Sequence, residues 1–207
     1  MSGGIPFMDI LIFAIIAVFL GLRLRSVLGK RSGFEQDFNN QDSTDQQEPM
    51  TSAGDHRPAD GSGIDAVKNA DASFDAEDFL GGAREAYSMI LSAFAEGDTD
   101  TLKPLLGYEM QASFAEAIRQ RDKAGETLSI TLAEMENAEI ADAEVKDGIV
   151  SLTVVFTSRQ IRVLKAEDGS ILDGDTETEE TLTDRWVFER DISSRDPNWL
   201  LVETETE

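Results

Sequence analysis

Residues 146–156 read KDGIVSLTVVF. Lys146-Asp147-Gly148 has the composition of a tight hairpin turn, in which glycine supplies the positive φ that short β-turns need. After it, Val150, Leu152, Val154 and Phe156 fall at every second position. That period of two puts them on one face of a strand, with the residues between them on the other. The alternation predicts a long strand over 149–163, entered through the turn.

The pattern continues on both sides. Downstream, Glu167-Asp168-Gly169-Ser170 and Asp173-Gly174 punctuate an expected loop. Residues 178–190 alternate again, with Leu182, Trp186 and Phe188 on one face. Asp196-Pro197-Asn198 turns the chain into a last strand over 199–203, and residues 203–207 read as a frayed acidic tail. Upstream, Leu128, Ile130 and Leu132 predict one strand and residues 140–145 another. Before these the period changes to helical. Phe79, Ala83, Ala86, Tyr87, Ile90 and Phe94 form one apolar face, with Asp75 as cap and Gly97-Asp98 as stop. Gly81 and Gly82 interrupt this helix, which suggests a close backbone contact there. A short helix from Thr99 or Asp100 to Leu106 is expected next. A third over 108–123 carries Met110, Phe114, Ala117 and Ile118, with Gly125 after it. Helices followed by an antiparallel meander give an α+β domain, its helices packed on one face of a curved sheet.

Asp184 shares a face with Trp186 by alternation. With Arg185, Glu189 and Arg190 nearby, the reading is a structural ion pair with an arginine in preference to a catalytic carboxylate. The run 173–180 (DGDTETEE) lacks the glycine and glutamate spacing of an EF-hand and reads as a solvated hairpin loop, so no metal site is expected.

Composition narrows the function. The 207 residues carry a formal charge of −23. Residues 1–31 hold four cations against Asp9, so the remainder carries −26. Such a body repels phosphate backbones, and nucleic acid is not an expected partner. There is no cysteine, and the one histidine, His56, precedes the domain. Thiolate chemistry, zinc–thiolate sites and a Ser-His-Asp triad within the domain are therefore excluded. Neither G-x-x-x-x-G-K-[ST] nor G-x-G-x-x-G occurs, and no cofactor is expected.

The N-terminal third is organised differently. Residues 10–22 (ILIFAIIAVFLGL) are apolar without a break. Counted from Ile5, the segment is about 27 Å long as a helix, close to the ~30 Å bilayer core. Ile10, Leu11, Ile12, Phe13, Ile15, Ile16, Val18, Phe19, Leu20 and Leu22 are its anchoring side chains, and Arg23, Arg25, Lys30 and Arg31 make a headgroup collar. A cleaved signal peptide would carry its cations before the apolar run, and an interfacial helix would show a polar face. The spanning reading fits better than either. Cations follow the run and none precede it, which places the body in the cytoplasm. Residues 32–73 are rich in Asp, Gln, Asn, Ser and Gly and read as a disordered linker. Its small apolar island, Ile64, Ala66 and Val67, is given no function in preference to a docking spot. The organisation expected is thus anchor 1–31, linker 32–73 and domain 74–207.

Three blocks of the domain resemble the Tim44-like family, and its bacterial TimA-type members closely. They are FLGGAREAY (79–87) running on to AFAEGD (93–98), with Leu102, Leu105 and Leu106; Phe114 with Ala117, Ile118 and Arg121; and DRWVFER (184–190) with PNWLL (197–201). The resemblance implies a cone akin to the nuclear-transport-factor-two and cystatin-like folds, with an apolar pocket between helices and sheet. It also implies a scaffold at a bacterial inner membrane. The mitochondrial member is a peripheral scaffold of the import motor that binds lipid and recruits an Hsp70 chaperone. Its long N-terminal region is replaced here by a tether and an acidic linker, so chaperone recruitment and presequence import are not carried over.

The expected function is therefore a non-enzymatic adaptor that contacts membrane lipid through its N-terminal helix and binds a protein partner, such as a chaperone or a membrane protein complex. Tyr87, Phe114, Phe156, Trp186, Phe188 and Trp199 are the candidate pocket residues, although aromatics of this kind also fill cores. The alternatives are binding of lipid or another small apolar ligand in the pocket, and an isomerase-like enzyme pairing an Asp base with a Tyr donor, as some domains of this shape do.

Overall fold

The computed structural model describes residues 61–206. The expected anchor, its collar and most of the linker lie outside the described residues. Among the described residues no helix is long and apolar enough to cross a membrane.

The order of elements is β1 (Gly61–Ser62), α1 (Ile64–Ala70), α2 (Ala76–Glu96), α3 (Thr99–Leu102), α4 (Tyr108–Ala124), β2 (Thr127–Lys146), β3 (Ile149–Lys165), β4 (Ile171–Gly174), β5 (Glu180–Asp191) and β6 (Leu200–Thr206). The strands run antiparallel in the order β1-β2-β3-β5-β6, with β4 also paired to β3. Helices pack against one face of this curled sheet, so the domain is α+β.

Each helix end has a local cause. The Asp75 carboxylate accepts from the amides of Glu77 and Asp78 and opens α2. Phe74 before the cap and Phe79 on the first turn pack at 6.0 Å, as a hydrophobic staple does. Phe79, Ala83, Tyr87, Ile90 and Ala93 then bury one face. Gly97 closes α2 in the left-handed region, at φ 74°. Asp98 caps α3, which ends at Leu102. The expected extension to Leu106 does not form, because residues 105–107 leave the helix to pair with β6. Leu201 N donates to Leu105 O (2.9 Å) and Gly107 N to Leu201 O (2.8 Å).

A Cβ at Gly81 or Gly82 would meet no atom within 4 Å. The close contact expected there is absent, and both glycines weaken the helix without a packing return. Gly81→Ala should raise stability by about 0.5–1 kcal/mol, read as a higher urea midpoint with an unchanged slope.

The sheet corrects three expectations. First, residues 127–146 form one strand, with register shifts between Leu132/Glu134, Met135/Asn137 and Ile140/Asp142. The inward apolar positions Leu132, Met135, Ala138, Ile140 and Ala143 are spaced three, three, two and three apart. Each step of three coincides with a bulge, because one extra residue restores the facing that a pure period of two would lose. Second, part of the expected loop pairs with β3 as β4. Gly174 sits at φ 77°, where a Cβ would lie 1.9 Å from Arg162 O. Glu179 and Glu180, at the end of the acidic run, pair with Arg159 and Arg162. Third, residues 203–206 are paired to β5, and Thr206 Oγ1 donates to Asp184 Oδ1 at 2.5 Å. This tail is not frayed, because its hydroxyl answers a buried carboxylate.

Described elements of the domain already stand thirteen residues before Phe74. Gly61 pairs with Val145, Gly63 N donates to Ala143 O at 2.7 Å, and Val67 is fully buried. The apolar island assigned to the linker is therefore part of the domain. It has too few apolar residues to order alone and gains its burial from the end of β2.

The β2–β3 turn has Asp147 at φ 52° and Gly148 at φ 81°, both positive as a tight hairpin turn requires. Beyond it Val150, Leu152, Val154 and Phe156 are fully buried beneath α2. The same inward face of β3 continues with Ser158 and Gln160, also buried.

Candidate binding groove

A groove of about 390 Å³ runs between the first half of α2 and the chain joining β5 to β6. Phe74, Phe79, Ala83, Ala86, Leu105, Phe188 and Trp199 give it apolar walls. Ser73, Asp75, Asp78, Gly82, Arg190, Pro197 and Asn198 complete the lining. Its geometry follows from local sequence. The staple places Phe74 and Phe79 at the start of α2, and Gly82 leaves the helix surface bare one turn later. Trp199 meets Phe79 edge-on at 4.8 Å and Phe74 at 6.2 Å.

Arg190 closes one end. Its guanidinium lies over the Trp199 ring, 4.8 Å from the centroid, and Nη2 pairs with Asp71. Hydrogen bonding from Ser73 and the Arg190 charge hold the Asp71 carboxyl below its ordinary value, against a desolvation effect of opposite sign. The Asp75 carboxyl is also lowered, by the backbone amides of Asp78 and Glu77 that it caps. Asp71 therefore ties the segment after α1 to β5 and so fixes the groove wall. A second hollow, about 270 Å³, adjoins across Ser73, Arg190 and Pro197 and carries Asp191, Arg195 and Asp196.

Of the six aromatic candidates, Phe188 and Trp199 line the groove. Tyr87, Phe156 and Trp186 are buried in the core, where Tyr87 lies 4.5 Å from Phe156 and 4.6 Å from Trp186 between ring centroids. Phe114 is half-buried on α4 and packs at 5.0 Å on Phe94, away from the groove. The anchor residues Ile10 to Leu22 and the collar Arg23, Arg25, Lys30 and Arg31 lie outside the described residues. Sequence reasoning missed Phe74, Phe79, Leu105 and Gly82 as groove residues. The apolar residue before an Asp cap, with another five positions on, was the available signal.

The ionisable centre of the domain is elsewhere. Tyr87 OH donates to Asp184 Oδ2, and Gln160 Nε2 donates to Tyr87 OH (2.8 Å) and to Ser158 Oγ (2.9 Å). Ser158 Oγ and Tyr87 OH are 3.0 Å apart. A phenol has one proton and Asp184 takes it, so the Ser158 hydroxyl is the donor to Tyr87. Asp184 accepts from Tyr87 and Thr206, and the expected arginine partner is replaced by two hydroxyls. Arg185 is one residue out of phase and sits on the other face of β5. Burial, then the Asp184 charge, push the Tyr87 phenol well above its ordinary value.

Asp184 and a tyrosine thus converge, as an isomerase-like site would require. They are bonded to each other inside the core, and neither lines the groove or the adjoining hollow. Among the described residues no group of acidic or histidine side chains is placed to hold a metal.

The intermembrane-space region of the chloroplast protein ARC6 is similar at 14% identity over 61% of this chain and 95% of its own, with a TM-score of 0.44. A conserved protein of Planctomyces limnophilus is similar at 13% over 64% and 98%, with a TM-score of 0.34. TsrD of Streptomyces laurentii is similar at 18% over 65% and 90%, with a TM-score of 0.30. No curated protein matches the chain. The Tim44-like domain matches residues 60–206, which covers every element from β1 to β6. The chain belongs to the Tim44-like family.

Proposed function

We propose that this protein is a membrane-anchored, non-enzymatic adaptor that binds a protein partner in the groove between α2 and the β5–β6 connection. The observation that carries the proposal is the groove itself. Its floor is formed by the buried rings of Phe74, Phe79 and Phe188 and its walls by the half-buried Ala86, Leu105 and Trp199, so a partner's side chains entering it can be desolvated. Tim44-like domains are associated with protein-binding scaffold and translocation roles, which supports the same reading. The apolar run 10–22 and the collar that follows it support anchoring in a bacterial inner membrane with the domain on the cytoplasmic side, as in a TimA-type member. A tether raises the effective concentration of membrane-bound partners, so a shallow groove can suffice. The acid–phenol pair supports a non-catalytic role, since both groups are committed to each other and to neighbouring hydroxyls.

The test uses Gly82, which faces the groove with no atom nearby. Gly82→Leu fills the groove while improving helix propensity, and Gly81→Ala serves as the matched control. Crosslinking in intact cells followed by mass spectrometry should give protein adducts that persist in Gly81→Ala and disappear in Gly82→Leu. Adducts unchanged by the leucine would remove the groove from the account. A product containing lipid or another small apolar molecule alone would turn it into a carrier site.

A further inference from the structure

We infer that the groove takes a protein segment in which apolar side chains are flanked by lysine or arginine, with the cation seated on Asp78 and Asp75. The inference rests on the groove being the partner site and adds the charge of what enters it.

The lining contains two carboxylates and one cation. The cation is already used, because Arg190 pairs with Asp71 and covers Trp199. Asp75 is exposed and accepts both cap amides through Oδ1, and no described residue bonds its Oδ2. The Asp78 carboxylate has no hydrogen bond or ion pair among the described residues. Lys68 acts on Asp75 through space only. The positive end of the α2 dipole lies near both carboxylates but supplies no counter-cation. Burying a partner's apolar side chain beside them would trap uncompensated charge unless that partner supplies a cation.

Other occupants fit less well. An acidic or phosphorylated segment would set like charges together at the rim. Anionic lipid meets the same repulsion, and the −26 carried by residues 32–207 extends it over the body. A second copy of this chain would bring its own acidic surface. An apolar segment with basic neighbours meets both requirements, the apolar walls and the unpaired carboxylates.

The experiment measures fluorescence anisotropy of labelled peptides with the full chain in neutral-detergent micelles. One peptide alternates leucine with lysine, and its twin alternates leucine with glutamate. The protein arms are the parent, Asp75→Asn/Asp78→Asn, Gly82→Leu and Gly81→Ala. Asparagine caps a helix as well as aspartate does, so the double variant removes charge while α2 stays formed. The lysine peptide should bind the parent and Gly81→Ala, and the glutamate peptide should bind neither. Affinity for the lysine peptide should fall about tenfold in the double asparagine variant, with most of the salt dependence lost, and should vanish in Gly82→Leu. Binding that Gly82→Leu abolishes but the asparagines leave unchanged would overturn the charge inference and keep the groove. Binding that survives Gly82→Leu would overturn the groove reading itself.

Discussion

Asp184→Ala should lower the unfolding free energy by about 3–4 kcal/mol, the largest stability loss expected from any single polar side chain in the domain. Asp184 is buried and accepts from Tyr87 and Thr206. Hydrogen bonds to a charged acceptor contribute about 1.5–3 kcal/mol each. Its removal also takes the acceptor from the Tyr87 hydroxyl proton beside Phe156 and Trp186, and takes the side-chain tie of Thr206 from the end of β6. A loss of this size lowers Tm by about 10 °C for a domain of this length. Asp184→Asn should cost less, because the amide can still accept from Tyr87 and donate to Thr206. A double-mutant cycle with Tyr87→Phe should give a coupling energy above about 1 kcal/mol, as expected for one connected network. Urea titration of the full chain in micelles, followed by tryptophan fluorescence, measures all of these.

The same network sets an alkaline limit. The Tyr87 phenol is raised above the ordinary tyrosine value of about 10, by burial first and by the Asp184 charge second. On unfolding the phenol regains its ordinary value and loses its proton sooner. The stabilisation is therefore complete below about pH 10 and declines as pH rises beyond it. Tyr87→Phe should remove this part of the pH profile. A phenolate signal from Tyr87 in the folded state, read by absorbance in a Tyr108→Phe background, would contradict the assignment.

Arg121→Met should cost about 2–3 kcal/mol, although no carboxylate pairs with this arginine among the described residues. Its guanidinium is buried against the end of α2, where Nη2 donates to the carbonyls of Phe94 (2.8 Å) and Ala95 (3.1 Å). It also lies 5.2 Å from the centroid of the Phe94 ring. The last carbonyls of a helix lack intrahelical donors, and a cation there also meets the negative end of the dipole. Desolvation lowers the Arg121 pKa, an effect that Asp122 and Glu126 oppose. Methionine keeps the apolar stem, removes the side-chain donor to Ala95 O and leaves Phe94 O only the 3.3 Å bond from Gly97 N. Arg121→Lys should recover less than half of the loss, since an ammonium cannot reach both acceptors and cover the ring. Amide exchange at residues 94–98 should accelerate in both variants, more in methionine. A neutral Arg121→Met would mean that water satisfies the end of α2.

Arg121 and Asp184 mark the limit of what alternation and periodicity reveal. Both stand in blocks that resemble the family, yet neither partner could be read. The acceptors of Arg121 are backbone atoms twenty-six and twenty-seven residues away, and those atoms carry no sequence signal. The donors to Asp184 come from α2 and from the last described residue of β6, which only the folded register brings together. Period-driven features were legible. The apolar face of α2, the Asp75 and Asp98 caps, the Asp147-Gly148 turn and the inward face of β3 follow from spacing and turn chemistry alone.

The bulges in β2 were legible in principle, because each is written as a three-residue step in the inward apolar series. A strict period of two reads those steps as a break between strands. The inclusion of residues 61–73 in the domain was not legible, since Ile64, Ala66 and Val67 have no reason to order until β2 offers an edge. The groove was half legible. Trp199 and Phe188 belong to the β5–β6 block, while Phe74 and Phe79 were visible as helix residues without an indication that they face the same space.

The most direct test of the adaptor account is site-specific photo-crosslinking in intact cells from position 82, with position 153 as comparison. Thr153 lies on the opposite face of the sheet, which no described element covers. The account predicts discrete protein adducts from position 82 that the leucine–lysine peptide competes away in isolated membranes, and none of those adducts from position 153. The same adducts from both positions, or adducts from position 153 alone, would contradict it.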